Sequence, residues 1–526
     1  MRWDIQKHTR DFGGACDKAI NQGRALKSLG DSDDPLMGMG CFSFPRGRGL
    51  ERQRLETRKG EGLALTGEGN PSPFRPRRIA NALQASSPLP PGEGDGTRFT
   101  FAPAPARSPS MRILPQDQAA LDLVGRGEAD LIDRAVRWAN VNSGSNHAEG
   151  LDAVLGLIEA EAGRLPAEVE RIPTQGFSTV GDDGSVKPQA RADALKITAR
   201  PEAPIQVVLT GHYDTVYPAD SAFQTVVARP DGALNGPGIA DMKGGISVML
   251  GALAAFETHP ERERVGWTVL LSPDEEIGSP ASAPLLAELG ARGHVGMTYE
   301  PALADGTLAG ARKGSGNFHL IVAGKAAHAG RAFHEGANAV AGAAMIATAL
   351  HGLNGRREGV TVNVARISGG GALNVVADNA VVRFNVRVPD AQAATWVTDA
   401  IGEIVSTPPF EGLTLDLHGG MTRAPKPMDA SQTALFEAVR ETGALLGQAI
   451  AWSPSGGVCE GNNLHAAGLP NIDTLGVRGG LIHSAEEFAW PDSFVERAQL
   501  STLMLCKIAS GEIDAERLKR LRLETL

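Results

Sequence analysis

The stretch IQVVLTGHYDT (205–215) is apolar for most of its length and turns polar at His212, Tyr213 and Asp214. WTVLLSPDEEIG (267–278) repeats the arrangement and carries the pair Glu275–Glu276, and HVGMTYEPA (294–302) repeats it again and carries Glu300. Strands that are apolar at nearly every position, rather than at every second one, belong to sheets covered on both faces. Between the first two lies MKGGISVMLGALAAFE (242–257), a helix with glycines near its start. This alternation of strand and helix predicts an α/β domain, where sites form at strand ends. The polar residues named above all fall there.

Working outward, LDLVGRGEADLIDRAVRWANVNSG and HAEGLDAVLGLIEAEAGRL place apolar residues at i, i+3 and i+4, the mark of amphipathic helices. The pattern changes after Lys313. NFHLIVAGKAAHAG alternates as a strand, ANAVAGAAMIATALHGL reads as a helix, and VTVNVARISGG and NAVVRFNVRVPD read as two strands. A helix over 391–404 and the strand LTLDLHGG complete the order βαββαβ, a split-βαβ unit. The expected organisation is therefore a central mixed sheet between helices in two parts, 111–312 and 424–526, with a ferredoxin-like domain inserted at 313–423.

Residues 1–110 are of another kind. They show no sustained period, contain Pro/Gly-rich stretches such as SSPLPPGEGDG, and are basic by about five charges. Such a composition buries too little apolar surface to offset chain entropy, so a disordered tail is expected. Met111 opens the first patterned region and would make a natural first residue, which makes the tail a candidate for absence from the native protein.

The whole chain has 526 residues and a net charge of −10, which argues against a nucleic-acid partner reached through a basic face. The four cysteines form no CxxC pair, no run approaches the roughly 18 apolar residues that span a bilayer, and the first residues have no signal-peptide core. No membrane contact and a cytoplasmic location are expected.

Five side chains suited to a divalent metal occur in order: His212, Asp241, Glu276, Glu300 and His483. Two ions held side by side need a shared carboxylate, and this set supplies one His and one acid per ion plus one acid as the bridge. Each element also has an ordinary reading. HxD at His212 and Asp214 can be a polar strand end; as a site, Asp214 would fix the tautomer of a metal-bound His212. Asp241 in GPGIADMKGG can be a helix cap. Glu275 and Glu276 repel unless a cation or proton intervenes. Neighbours in an extended stretch point opposite ways, so one can bind metal while the other acts as general base. Glu300 and His483 can be loop residues, and a lone loop histidine such as His328 is usually structural.

Taken together, GHYDTVYP, GPGIADMKGG, SPDEEIGS, TYEPA, KAAHAG and GGLIHSAEEF resemble the motifs of the co-catalytic zinc peptidases and deacylases. That group includes carboxypeptidase G, aminoacylase, acetylornithine deacetylase and succinyl-diaminopimelate desuccinylase. The resemblance runs from about Gln116 to the C-terminus and is strongest to the carboxypeptidase G (glutamate carboxypeptidase) branch. It implies two zinc ions, with cobalt or manganese as substitutes, and places His212 and Glu300 on opposite ions. Asp241 bridges, with a cis bond to Met242; Glu276 joins one ion and His483 the other. It makes Asp214 the partner of His212 and Glu275 the general base.

The resemblance also implies a homodimer formed through the inserted domain. His328 would there stabilise the oxyanion in the partner subunit's site, and Asn374 and Arg387 would help hold substrate. Arg423 would pair with the substrate's carboxylate beside the Gly456–Gly457 loop. The implied reaction is amide hydrolysis on a small peptide or N-acyl amino acid. Exopeptidase release of a C-terminal residue such as glutamate and removal of an N-acyl group both fit, as does a non-catalytic binding protein that has lost hydrolysis. The sequence departs after Gly457: Val458-Cys459-Glu460 stands where many relatives carry a Ser/Thr-Asp pair, which leaves substrate preference open.

Overall fold

The computed structural model describes residues 111–525 except 190 and 191. The expectations for 1–110 lie outside the described residues. Three helices open the described chain: α1 (Pro115–Arg126), α2 (Glu128–Ala139) and α3 (Ala148–Ala162). Strands β1 (Glu168–Ile172), β2 (Ala194–Ala199) and β3 (Ile205–His212) follow, then helix α4 (Gly245–Phe256), strand β4 (Val265–Ser272) and strand β5 (Val295–Thr298). The next segment holds β6 (Gly314–Ala323), α5 (Ala339–His351), β7 (Thr361–Gly369), β8 (Asn379–Val388), α6 (Ala391–Ser406) and β9 (Thr414–Arg423). The short strand β10 (Asn471–Ile472) and the long helix α7 (Asp492–Ser510) come near the end.

The main sheet has six strands in the order β1-β2-β4-β3-β5-β10. β2 runs antiparallel to both β1 and β4, whereas β4, β3, β5 and β10 are mutually parallel. The physical origin is visible along β3 and β4. Val207, Leu209, Val269 and Leu271 face the larger core with α1, α2, α4 and α7, while Val208 and Leu270 face a smaller one with Leu286 and Leu464. Both faces are covered, as continuous apolar strands require. Each fully buried branched side chain contributes about 1.5–3 kcal/mol relative to exposure.

The segment after Lys313 forms a four-stranded sheet in the order β7-β8-β6-β9, with a hydrophobic core of its own. Here burial alternates along β6, with Phe318, Leu320 and Val322 facing that core. α5 and α6 cover that face through residues such as Ile346, Leu350, Val397 and Ile401. One covered face gives a period of two.

One helix shows how apolar a core element becomes. Ile239–Phe256 is an 18-residue helical stretch apolar enough by length and composition to cross a membrane, yet 89% of it is buried inside the protein. It is apolar because it is a core element: α4 packs among α1, α2 and α7. A Cβ on Gly245 would lie 2.0 Å from the carbonyl oxygen of Tyr299. Only glycine lets this helix start against the end of β5, and that contact brings Asp241 beside Glu300.

A candidate two-metal centre at the strand ends

The parallel register decides which donors meet. Thr210 pairs with Thr298 across β3 and β5, so His212 and Glu300, each two residues on, extend the same row on the same face. His212 Nε2 lies 3.7 Å from Glu300 Oε1 and 3.2 Å from Asp241 Oδ1. On the other side of Asp241, His483 Nε2 lies 3.3 Å from Asp241 Oδ2 and 3.2 Å from Glu276 Oε2. Two groups of donor atoms result, His212/Asp241/Glu300 and Asp241/Glu276/His483, each within 4.8 Å and sharing Asp241. This corrects the expected partition. His212 and Glu300 stand together rather than apart, and Glu276 stands with His483, because neighbouring parallel strands end level with each other.

Each donor is held by its local structure. His212 presents Nε2 to the site because Nδ1 is engaged by the Asp214 backbone oxygen at 3.1 Å and lies 3.3 Å from Asp214 Oδ1. Asp214 is in turn fixed by Ser145 Oγ at 2.7 Å and by the backbone N–H groups of Glu275 and Glu276 at 3.2 and 3.3 Å. Glu275–Ile277 is a single 3₁₀ turn rather than the extended stretch expected, and the two carboxylates still diverge. Glu276 turns to His483, whereas Glu275 Oε1 meets Arg423 Nη1 at 2.8 Å. The Asp241–Met242 bond is cis, as the resemblance implies. His483 sits in the hairpin between Arg478–Gly480 and Phe488–Ala489. Its φ of +63° is a backbone state that costs a side-chain-bearing residue roughly 1–3 kcal/mol.

The electrostatics are those of a cation site. Burial first, then the charge of Asp241, pushes Glu276 up to about 8, and burial pushes Glu300 up to about 7. Burial by itself would lower His212, but the carboxylates of Asp214, Asp241 and Glu300 around its ring raise it well above its ordinary value. Hydrogen bonds to Asp241 and Glu276 raise His483 to about 10. Glu300 Oε1 is buried without a hydrogen-bond partner. Four carboxylates face a cavity of about 420 Å³ beside two imidazoles. A donor set of His nitrogen and carboxylate oxygen with one shared acid fits a pair of divalent ions.

Arg423 is buried, at 4% exposure, with Nη2 on the backbone oxygen of Glu275 at 3.1 Å and on Ser279 Oγ at 2.7 Å. Its partner here is Glu275, a different one from the substrate carboxylate that the resemblance implies. Arg387 and Arg423 both pair in register with Ser315, one from β8 and one from β9, so both guanidinium groups stand on one face of the inserted sheet. Burial first, and then the charge of Arg423, lowers the Arg387 guanidinium from its ordinary value, while Glu275 opposes this. Gly456 and Gly457 line the cavity. His328 and Asn374 lie elsewhere, exposed on a ribbon of the inserted layer where His328 bridges Val375 and Ala329 N donates to the Asn374 oxygen at 2.9 Å.

Glu487 was not singled out in the sequence. It is fully buried and accepts N–H groups from Gly238, Ala240 and Asp241 at 3.0–3.1 Å and the Tyr217 hydroxyl at 2.7 Å. It clamps the turn that presents Asp241. The acidic pair in HSAEEF was its one sequence signal, and nothing local separates a clamp from a solvated acid.

A family model, Peptidase family M20/M25/M40, matches residues 208–507. The chain belongs to this family, and it is an enzyme of the metallopeptidase class. Among relatives, carboxypeptidase G2 of Pseudomonas sp. (strain RS-16) is 26% identical over 389 residues, covering 72% of this chain and 88% of the relative. A succinyl-diaminopimelate desuccinylase of Nitrosomonas eutropha is 30% identical over 302 residues, covering 53% of this chain and 77% of the relative. The M20 family metallo-carboxypeptidase Sso-CP2 of Sulfolobus solfataricus shares the fold with a TM-score of 0.56 at 14% identity, covering 72% of this chain and 98% of that one.

Proposed function

We propose that this chain hydrolyses an amide bond next to a free carboxylate, with His212, Asp241 and Glu300 around one divalent ion and Asp241, Glu276 and His483 around a second. The observation that carries the reading is Asp241, whose two carboxylate oxygens face different histidines at 3.2 and 3.3 Å. Zinc is the proposed metal, with cobalt or manganese as substitutes. When bound, such ions polarise the scissile carbonyl and lower the pKa of water.

The chain's own groups do the rest. Glu275 lines the same cavity as Glu276 and His483, oriented by Arg423. It takes the proton of the attacking water and delivers it to the leaving nitrogen. Asp214 keeps His212 in one tautomer. Arg387 and the Gly456–Gly457 loop hold the free carboxylate. His328 and Asn374 act from the exposed ribbon on the partner subunit's site in a homodimer built through 313–423, where His328 supports the oxyanion.

The carboxypeptidase G2 relative favours exopeptidase release of a C-terminal residue. The desuccinylase relative favours removal of an N-acyl group, which leaves the same carboxylate beside the cut bond. Hydrolysis of N-acyl amino acids and dipeptides by the zinc-loaded chain, abolished by a chelator, tests the shared chemistry. Glu275→Ala is expected to keep its metal while turnover falls about 10²–10⁴-fold, the usual contribution of a general base. Near-normal turnover in that variant removes Glu275 from the mechanism.

A further inference from the structure

We propose that the residue carrying the free carboxylate has an uncharged, apolar side chain, received by the cavity beyond Glu276 and His483. The inference rests on the hydrolase reading above and names the substrate class within it. The cavity measures about 420 Å³ and has the Gly456–Gly457 loop on its wall, which sets it on the carboxylate side of the cut bond. A second cavity of about 420 Å³ lies across Glu276, lined by Ser145, His147, Thr215 and Pro218 among others, and is left for the acyl side.

Away from the acids, the walls of the first cavity carry the apolar groups of Pro301, Leu303, Leu308, Pro454, Val458 and Ile482, with the uncharged Thr307, Ser453, Ser455 and Thr474 between them. Leu303 and Ile482 are 56% and 39% exposed, so apolar surface stands uncovered at its edge. Covering such surface is the favourable contribution that an apolar substrate group brings.

The cations point the same way. Among the described residues Arg312 is the only Lys or Arg on the cavity wall, and its Nε and Nη2 meet the two oxygens of Asp473 at 2.8 and 3.0 Å in a buried pair. Lys426 is held on the same carboxylate at 2.7 Å. Arg423 is held by Glu275. Arg387 keeps a buried Nη1 with no partner. Its Nε already donates to Asn385 Oδ1 at 3.0 Å, so what remains of this guanidinium suits one carboxylate, the one beside the cut bond. A glutamate side chain would bring a second carboxylate into a space bordered by Asp241, Glu275, Glu276 and Glu300. Even with three of those acids committed to metal, the guanidinium on the wall already faces Asp473, and a buried charge without a close partner of its own is strongly disfavoured.

The test is kcat/KM of the zinc-loaded full chain on a series constant in its acyl part and ending in Leu, Met, Phe, Gln or Glu, run as N-acetyl amino acids and as dipeptides. Leu or Met is expected to exceed Glu by about tenfold or more, with Gln between. Leu303→Lys, at a half-exposed position, is expected to shift the Glu-to-Leu ratio toward Glu by about tenfold. Thr307→Lys on the same wall asks the same question if that variant does not fold. Glu turned over as well as or better than Leu overturns the inference and leaves the hydrolase reading standing. An unchanged ratio in both folded lysine variants overturns the assignment of this cavity. No turnover of any member by the metal-loaded chain removes the hydrolase reading and this inference with it.

Discussion

His212, Asp241 and Glu300 bring three donor atoms within 4.8 Å of one another, and so do Asp117, His259 and Cys506. All six residues are buried. The surroundings separate them. Asp117 Oδ2 accepts from Lys507 Nζ at 2.9 Å and from Leu114 N at 2.8 Å, and its Oδ1 faces His259 Nε2 at 3.2 Å. His259 Nδ1 accepts from Glu261 N at 3.2 Å, and burial, then the charge of Asp117, pushes the Cys506 thiol up to about 12. Lys507 reaches the Arg112 oxygen and Glu512 Oε1 as well, so its three protons are all used. That cluster is complete without an ion. At the strand ends the carboxylates outnumber the cations and Glu300 Oε1 has no hydrogen-bond partner. Donor spacing alone does not make a metal site; the local charge balance does.

The comparison can be broken most directly at Asp241. As the shared carboxylate, its removal in Asp241→Ala is expected to lower metal content at both positions together, with activity falling by roughly 10³-fold or more as several kcal/mol of Lewis-acid stabilisation disappears. Loss of one ion with the other retained, measured by metal analysis, would show that Asp241 is not shared.

At the other cluster the expected effect is on stability. Lys507→Met leaves Asp117 buried without its cation and is expected to cost about 3–5 kcal/mol in urea unfolding, whereas Cys506→Ala costs about 1 kcal/mol. Neither is expected to change metal content. A drop in bound metal in Cys506→Ala would make this cluster a metal site and erase the contrast.

The smallest effect sharpens the contrast through pH. Glu276 and Glu300, at about 8 and about 7 in the folded chain, bind protons more tightly than in the unfolded chain, and so does His483 at about 10. For carboxylates and imidazole alike, a raised folded value gives stability that is full below the unfolded value and is lost as pH rises through the folded one. The melting temperature of metal-free protein is therefore expected to fall by several degrees from pH 6 to pH 9, while the zinc-loaded protein, whose ions take the place of the protons, changes less. Equal slopes in the two forms would show that these groups do not share a site with the metal.

Much of this was legible in the chain. The three strand ends at His212, Glu276 and Glu300 read directly, because strands covered on two faces are apolar throughout and their polar ends stand out. The βαββαβ order after Lys313 read equally well, since the period changes there from continuous to alternating.

By itself, then, the sequence determined the sheet, the inserted layer and the kinds of donor at the site, all of which depend on neighbours close along the chain. Only the tertiary structure decided how those donors pair. The level ends of β3 and β5 put His212 with Glu300, and one row of the inserted sheet brought Arg387 and Arg423 to the same face. It also decided which cluster is already neutralised, since Lys507 and Asp117 stand 390 residues apart. Strand register and charge balance are set by contacts between distant segments, and no local pattern of residues encodes them.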